Sequence, residues 1–155
     1  MSRRSRAREI VLQVLYQSDM NPDQPDDVRQ RFIEARLNYD RQLVAFAVEL
    51  LAGVRRHQSE IDRQLEMTAQ NWKLSRMPTT DRNVLRLGAF EVLFTQTPDR
   101  VAINEAIELA KRYGTQNSAQ FVNGILDRLM NNKPSNPATA STTPKIEAEN
   151  SGSNA

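Results

Sequence analysis

The chain has 155 residues, enough for one domain with a substantial core, and its net charge of +2 shows that it is not a bulk polycation. It has no Cys and a single His, His57, which excludes disulfides and thiolate metal sites and leaves a His-rich metal site or a Ser/His triad without support. The longest apolar run is far shorter than the roughly 18 residues that a membrane span needs, and no signal peptide is recognisable, so we expect a cytoplasmic protein.

Helical spacing of apolar residues dominates the first half of the sequence. It predicts a first helix over about 5–19, with its apolar stripe centred on Val11 and Val14. A weaker segment follows near 25–37, and two clearer helices are predicted over about 40–56 and 58–68.

A second group of helices follows the break at "MPTTDR", where Thr80 is the expected N-cap of the next helix. That helix, 81–94, is apolar on nearly every side and is therefore predicted to be the central, buried one. Another helix is expected over 101–114, ending at Gly114, and Ser118 is expected to cap a last helix over 119–130. About seven helices and no sheet indicate an all-α fold built from helical bundles.

Charged residues on the central helix require partners, since an unpaired buried charge is costly. We therefore predict that Arg86 and Glu91 belong to an internal salt-bridge network. Asp81, at the start of the same helix, is expected to be exposed and to face a partner. The polar residues 132–155, with one large apolar side chain at Ile146, are predicted to form a disordered tail after a folded domain over 1–131.

The opening stretch "SRRSRAREIVLQVLYQSDM" places Arg3, Arg4, Arg6 and Arg8 at the start of a helix. A helix N-terminus already carries a partial positive charge and favours acids, so the pattern indicates an anionic partner. A helix that extended back to Arg3 would direct Arg3 and Arg4 to the apolar face. The first arginines are therefore predicted to form a flexible arm, with the helix starting near Ser5 and Arg8 on its flank.

Two further features are compatible with nucleic acid. Tyr16 lies almost opposite the apolar stripe of the first helix and could stack on a base. Asn117 and Ser118 precede the last helix, whose N-terminus can bind phosphate, and Phe121 follows one turn later. Gly124 continues the helical pattern and indicates close approach of another helix or of a ligand. The simpler alternatives are a solvated basic terminus, a Tyr16 that covers a neighbouring loop and a Phe121 in the core.

Three segments together resemble one family. "RRSRAREIVLQVLYQ", "DRNVLRLGAFEVL" and "VAINEAIELAKRYG" followed by "NSAQFVNGILDRL" look like the corresponding parts of NusB, the bacterial transcription antitermination factor. The resemblance covers about 3–131, and the last motif is its most specific part. It implies an all-helical protein of two small bundles that catalyses no reaction and needs neither metal nor cofactor.

The resemblance also implies partners and site residues. NusB proteins bind boxA, a short single-stranded RNA element in ribosomal RNA leaders, together with NusE, a ribosomal protein that also acts in transcription. The pair helps RNA polymerase pass terminators. Asp81 is the candidate contact to NusE, and the state of the free protein, monomer or homodimer, stays open. The candidate RNA-binding residues, at the first helix and the start of the last, are Arg3, Arg4, Arg6, Arg8, Tyr16, Asn117, Ser118 and Phe121.

Three other functions are weighed against this one. A NusB-like accessory domain of an rRNA methyltransferase would be followed by a nucleotide-binding α/β domain, where we predict a disordered tail instead. A helix-turn-helix protein would need polar side chains on its recognition helix, and helix 81–94 is apolar all round. A protein-interaction module would use the arginines against an acidic partner. Salt-dependent RNA binding with base preference would distinguish it from an RNA-binding protein.

Overall fold

A computed structural model of the chain describes residues 2–133, and all regular secondary structure in that range is helical. A short 3₁₀ helix, Leu74–Arg76, precedes the fifth α-helix. The seven α-helices in chain order are α1 (Arg3–Met20), α2 (Asp26–Arg36), α3 (Arg41–Arg56), α4 (Gln58–Thr68), α5 (Thr79–Phe94), α6 (Asp99–Tyr113) and α7 (Ser118–Asn132). The predicted all-α class and the number of helices are confirmed.

The helices form two small bundles, and α5 of the second bundle packs against the first. The first consists of α1, α2 and α3, and the second of α4, α5, α6 and α7. α5 packs against every other α-helix except α2, and eleven of its 16 residues are buried. The prediction that residues 81–94 form the central helix is therefore confirmed, because only a helix apolar on all sides can serve both bundles.

Helix ends differ from the predictions by at most two positions, and α4 matches its prediction at both ends. α5 begins at Thr79 after Pro78, so Thr80 lies inside its first turn rather than at the N-cap. Proline suits that place because its fixed φ leads into a helix. Gly114 ends α6 as predicted, and its N–H donates to the carbonyl of Ala110 at 2.9 Å.

Close packing of α3 on α5 depends on Gly53. A Cβ atom at this position would lie 2.0 Å from Cζ of Phe90, well inside contact distance. Phe90 is 7% exposed, so a side chain at position 53 would force its ring to move within a closely packed region.

The predicted internal salt bridges are confirmed, and each crosses between helices. Arg86 donates to both carboxylate oxygens of Asp62 on α4, at 2.8 and 2.9 Å. Glu91 receives a similar pair of hydrogen bonds from Arg8 on α1. Two charges carried by the central helix are thus neutralised by its neighbours, as burial requires.

The folded part extends slightly beyond the predicted boundary at 131. α7 continues to Asn132, and Nζ of Lys133 donates to the two carboxylate oxygens of Asp99 at 2.8 and 2.6 Å. The prediction of a disordered tail otherwise falls on 134–155, outside the described residues.

Candidate nucleic-acid interface

The first turn of α1 is ordered, which corrects the prediction of a flexible arm. Ser2 caps the helix by accepting a hydrogen bond from the Ser5 N–H at 3.1 Å, so Arg3 and Arg4 are helical residues. Arg3 pairs with Asp40, and the Arg4 guanidinium lies 4.6 Å from the ring centre of Phe46. The prediction overlooked these partners, which remove the cost of placing guanidinium groups over an otherwise apolar face.

Asp40 contacts both the start of α1 and the start of α3. Its Oδ1 accepts a hydrogen bond from the Leu43 N–H at 3.1 Å and so caps α3, while Oδ2 faces Arg3. The Leu43 N–H holds the pKa of the Asp40 carboxyl below its ordinary value, and the Arg3 guanidinium contributes in the same direction. The start of α1 is thus tied to the start of α3.

Arg8 lies in the interior, so its predicted place on the flank of α1 is wrong. It is 3% exposed and donates to Glu91 through Nε at 2.7 Å and Nη2 at 2.9 Å. Its remaining Nη1 lies 3.6 Å from Glu105. With its guanidinium fully engaged by carboxylates, Arg8 orients α1 on α5 and α6 and does not reach a ligand at the surface.

Glu9 is also buried, and it holds two surface arginines. One carboxylate oxygen pairs with Arg6, and the other accepts a hydrogen bond from Arg112 of α6 at 2.6 Å. The side chains of Arg6 and Arg112 remain 42% and 52% exposed. We call Arg3, Arg4, Arg6 and Arg112 the arginine surface. Arg112 was missed from the sequence because only the packing of α1 near α6 brings it there.

Tyr16 is exposed, as predicted, with 44% of its surface accessible. Asp81 is not exposed. It is 6% accessible in the first turn of α5, and its Oδ1 accepts no hydrogen bond within the described part of the chain. The prediction treated the helix start as surface, but the two residues after Asp81 are tied to the end of α1, where Asp19 accepts hydrogen bonds from Arg82 and Asn83. Most of the Asp81 side chain is therefore closed to a partner in this conformation.

The start of α7 separates the other three predicted residues. Asn117 is the N-cap position and is exposed, although its side chain makes no capping hydrogen bond. Ser118 is buried, and its Oγ accepts a hydrogen bond from the Thr115 N–H at 2.8 Å, so it closes the loop instead of facing a phosphate. Phe121 is half-buried against the core.

An exposed tryptophan that the sequence argument missed lies beside Phe121. The two ring centres are 5.6 Å apart with an interplanar angle of 75°, and Trp72 is 56% exposed. The available signal was the only tryptophan of the chain in a polar stretch, "QNWKLS". Its partner could not be inferred, since Phe121 is 49 positions further along the sequence.

Gly124 makes no close contact with another helix in the described part of the chain, so that half of its prediction is wrong. A Cβ atom built there meets no described atom within 4 Å. A mid-helix glycine costs about 0.5–1 kcal/mol relative to alanine, and no packing contact offsets this cost. Approach of a ligand stays a prediction.

The predicted residues lie near Glu105 and Gly114 of α6, and Arg112 of the arginine surface lies between these two positions. The arginine surface adjoins Glu105, to which Ser5 donates at 2.6 Å, and Gly114 contacts Ser118 at the start of α7. These two positions of α6 are about 14 Å apart along the helix axis. Four or so stacked nucleotides, at about 3.4 Å each, cover that distance.

Within residues 2–133 no cluster of three or more His, Asp or Glu side chains is arranged to hold a metal ion. None of the helices in this range has the length and apolar character of a membrane span.

Comparisons with known proteins agree on one family. The NusB family model matches residues 5–131. A transcription antitermination protein NusB of Anaeromyxobacter dehalogenans is 46% identical over 133 residues, which cover 86% of this chain and 94% of the relative. The NusB of Bdellovibrio bacteriovorus is 38% identical over 132 residues, covering 83% and 96%.

Solved structures agree with the sequence relatives. T. maritima NusB superimposes with a TM-score of 0.75 at 39% identity, over 85% of this chain and 92% of that one. A complex of the antitermination factors NusB and NusE with double-stranded RNA contains a chain with a TM-score of 0.77 at 26% identity, over 86% and 99%. On the family match and these identities, the chain belongs to the NusB family.

Proposed function

We propose that this protein is a transcription antitermination factor that binds boxA RNA together with NusE and helps RNA polymerase pass terminators. It acts in the cytoplasm by binding alone, without a catalysed reaction, cofactor or metal. The relatives that support this bear the name transcription antitermination protein and are matched over more than nine-tenths of their length. A related chain forms a complex with NusE and RNA.

The observation that carries the proposal is the arginine surface at the start of α1. Arg3, Arg4, Arg6 and Arg112 come from two helices and keep part of their guanidinium groups in solvent. Each has an internal partner that fixes its position without burying it. Such an array favours a polyanion, because several phosphates can be contacted at once and their counterions released.

Tyr16, Asn117 and Phe121 extend the proposed surface away from the arginines. Tyr16 and Phe121 offer ring surface for bases, and Asn117 offers a neutral polar group at the start of α7. Arg8 and Ser118 support this surface from beneath, since both are buried. Asp81 is buried as well, so NusE is proposed as a partner without an assigned contact residue.

The test is a titration of fluorescein-labelled boxA RNA and a scrambled RNA of the same composition, with and without purified NusE. We expect tighter binding to boxA and a further gain when NusE is added. Equal, weak and salt-sensitive binding to both RNAs would contradict the proposal. That result would favour the second candidate, a helical interaction module whose arginines meet an acidic protein.

A further inference from the structure

The segment 69–77, between α4 and α5, is held firmly although most of it is irregular. Ala69, Leu74 and Met77 are buried, and the Trp72 N–H donates to the Ala69 carbonyl at 2.7 Å. Nη1 of Arg82 donates to the Leu74 carbonyl at 3.3 Å. The backbone on both sides of Trp72 is therefore anchored, and the indole is exposed because the anchored segment directs it outward.

The indole has one aromatic neighbour and a free face. Trp72 and Phe121 meet nearly edge-on, at 75°, so the two rings do not cover each other as a parallel stack would. A tryptophan can bury about 150–250 Å² of surface, which makes an indole held in solvent a large unused apolar area. A flat apolar group has the shape to cover it.

The surroundings of this aromatic pair favour a nucleic-acid occupant. Lys73 and Arg76 are exposed on the same segment, and 69–78 contains no acidic residue. The exposed Asn117 lies one helical turn before Phe121, and its carbonyl accepts a hydrogen bond from the Phe121 N–H at 3.1 Å. Planar apolar groups linked by negative charges match this arrangement, and single-stranded RNA consists of such groups.

We propose that Trp72 and Phe121 form a base-stacking platform for single-stranded RNA, with Lys73 and Arg76 contacting the adjacent phosphates. The proposal rests on the proposed function and adds to it a second contact region, beyond the C-terminal end of α6, next to which Arg112 of the arginine surface lies. RNA bound at the start of α1 reaches the platform by following α6 past Arg112, over about 14 Å from Glu105 to Gly114.

Trp72 can serve as an intrinsic fluorescence probe, because it is the only tryptophan in the sequence. Unlabelled boxA RNA is titrated into the full-length protein while tryptophan emission is recorded, and labelled RNA is titrated in parallel by anisotropy. We expect emission to be quenched with the same Kd that anisotropy gives. Binding seen by anisotropy without any change in emission would overturn the platform while leaving the proposed function intact. No binding in either measurement would contradict the proposed function itself.

Variants test the contribution of stacking to affinity. Trp72→Ala is expected to weaken RNA binding about 5- to 150-fold, whereas Trp72→Phe retains most of the affinity. Met67→Ala removes an exposed apolar side chain from α4 and serves as the control, for which we expect unchanged RNA binding. Thermal unfolding of each variant verifies that the fold is kept. Unchanged RNA affinity of Trp72→Ala would overturn the proposal, and loss of NusE binding alone would show a protein-binding surface instead.

Discussion

Replacing Arg3, Arg4 and Arg6 together by alanine measures how much of the RNA affinity comes from the arginine surface. These side chains lie in the first turn of α1, and each keeps its guanidinium partly in solvent. Each phosphate contact to a single strand contributes about 0.7 to the slope of log K against log salt, so three contacts contribute about 2. Between about 50 and 200 mM salt, the native protein should therefore lose about 20-fold more affinity than the variant.

The assay is anisotropy of labelled boxA RNA at four or five salt concentrations, with protein stability checked by thermal unfolding at each. A matched triple variant, Arg31→Ala with Arg63→Ala and Arg128→Ala, removes the same charge from α2, α4 and α7. It should lower affinity slightly and leave the slope near its native value. Equal slopes for the native protein and the α1 variant would refute the reasoning, since the arginines would then contact no phosphate.

Three further predictions concern the framework beneath the surface. Arg8→Ala should lower the free energy of unfolding by about 3–5 kcal/mol in urea titrations, because Glu91 stays buried without its partner; a loss below 1 kcal/mol would contradict this. Gly53→Ala should lower it by about 1–3 kcal/mol or prevent folding, since the added methyl group overlaps Phe90, and native stability would show that α3 can shift. Gly124→Ala should raise stability by about 0.5–1 kcal/mol and weaken RNA binding, whereas unchanged affinity would show that no ligand approaches this glycine.

Most of the fold followed from the sequence because apolar periodicity survives in every helix that faces the core. The central place of α5 was predictable because this helix is apolar on nearly every side. Pairing of its charged residues followed, since an unpaired buried charge is costly. Helix starts were one to two residues off at Pro78 before α5 and at Asn117 before α7, where no side chain makes the capping hydrogen bond. A rule based on capping residues has no signal at such ends.

The site was harder to predict because burial of a polar residue depends on partners distant in sequence. Arg8 was predicted on the surface, but the fold places Glu91 and Glu105 next to it. Ser118 was predicted to cap the last helix, but its hydroxyl accepts a hydrogen bond from the loop before that helix. Trp72 went unnoticed for the opposite reason. Its exposure results from the anchored segment around it and not from any periodic pattern.

The ordered first turn of α1 has a consequence for the kinetics and thermodynamics of RNA association. An arm that folds on binding loses conformational entropy at that moment, which reduces affinity and adds a folding step. Here Ser2, Asp40 and Phe46 fix the position of the arginines before any ligand arrives. Capture of RNA is then a docking of preformed charges, so its rate is governed by electrostatic steering through the solvent rather than by a rearrangement of the protein.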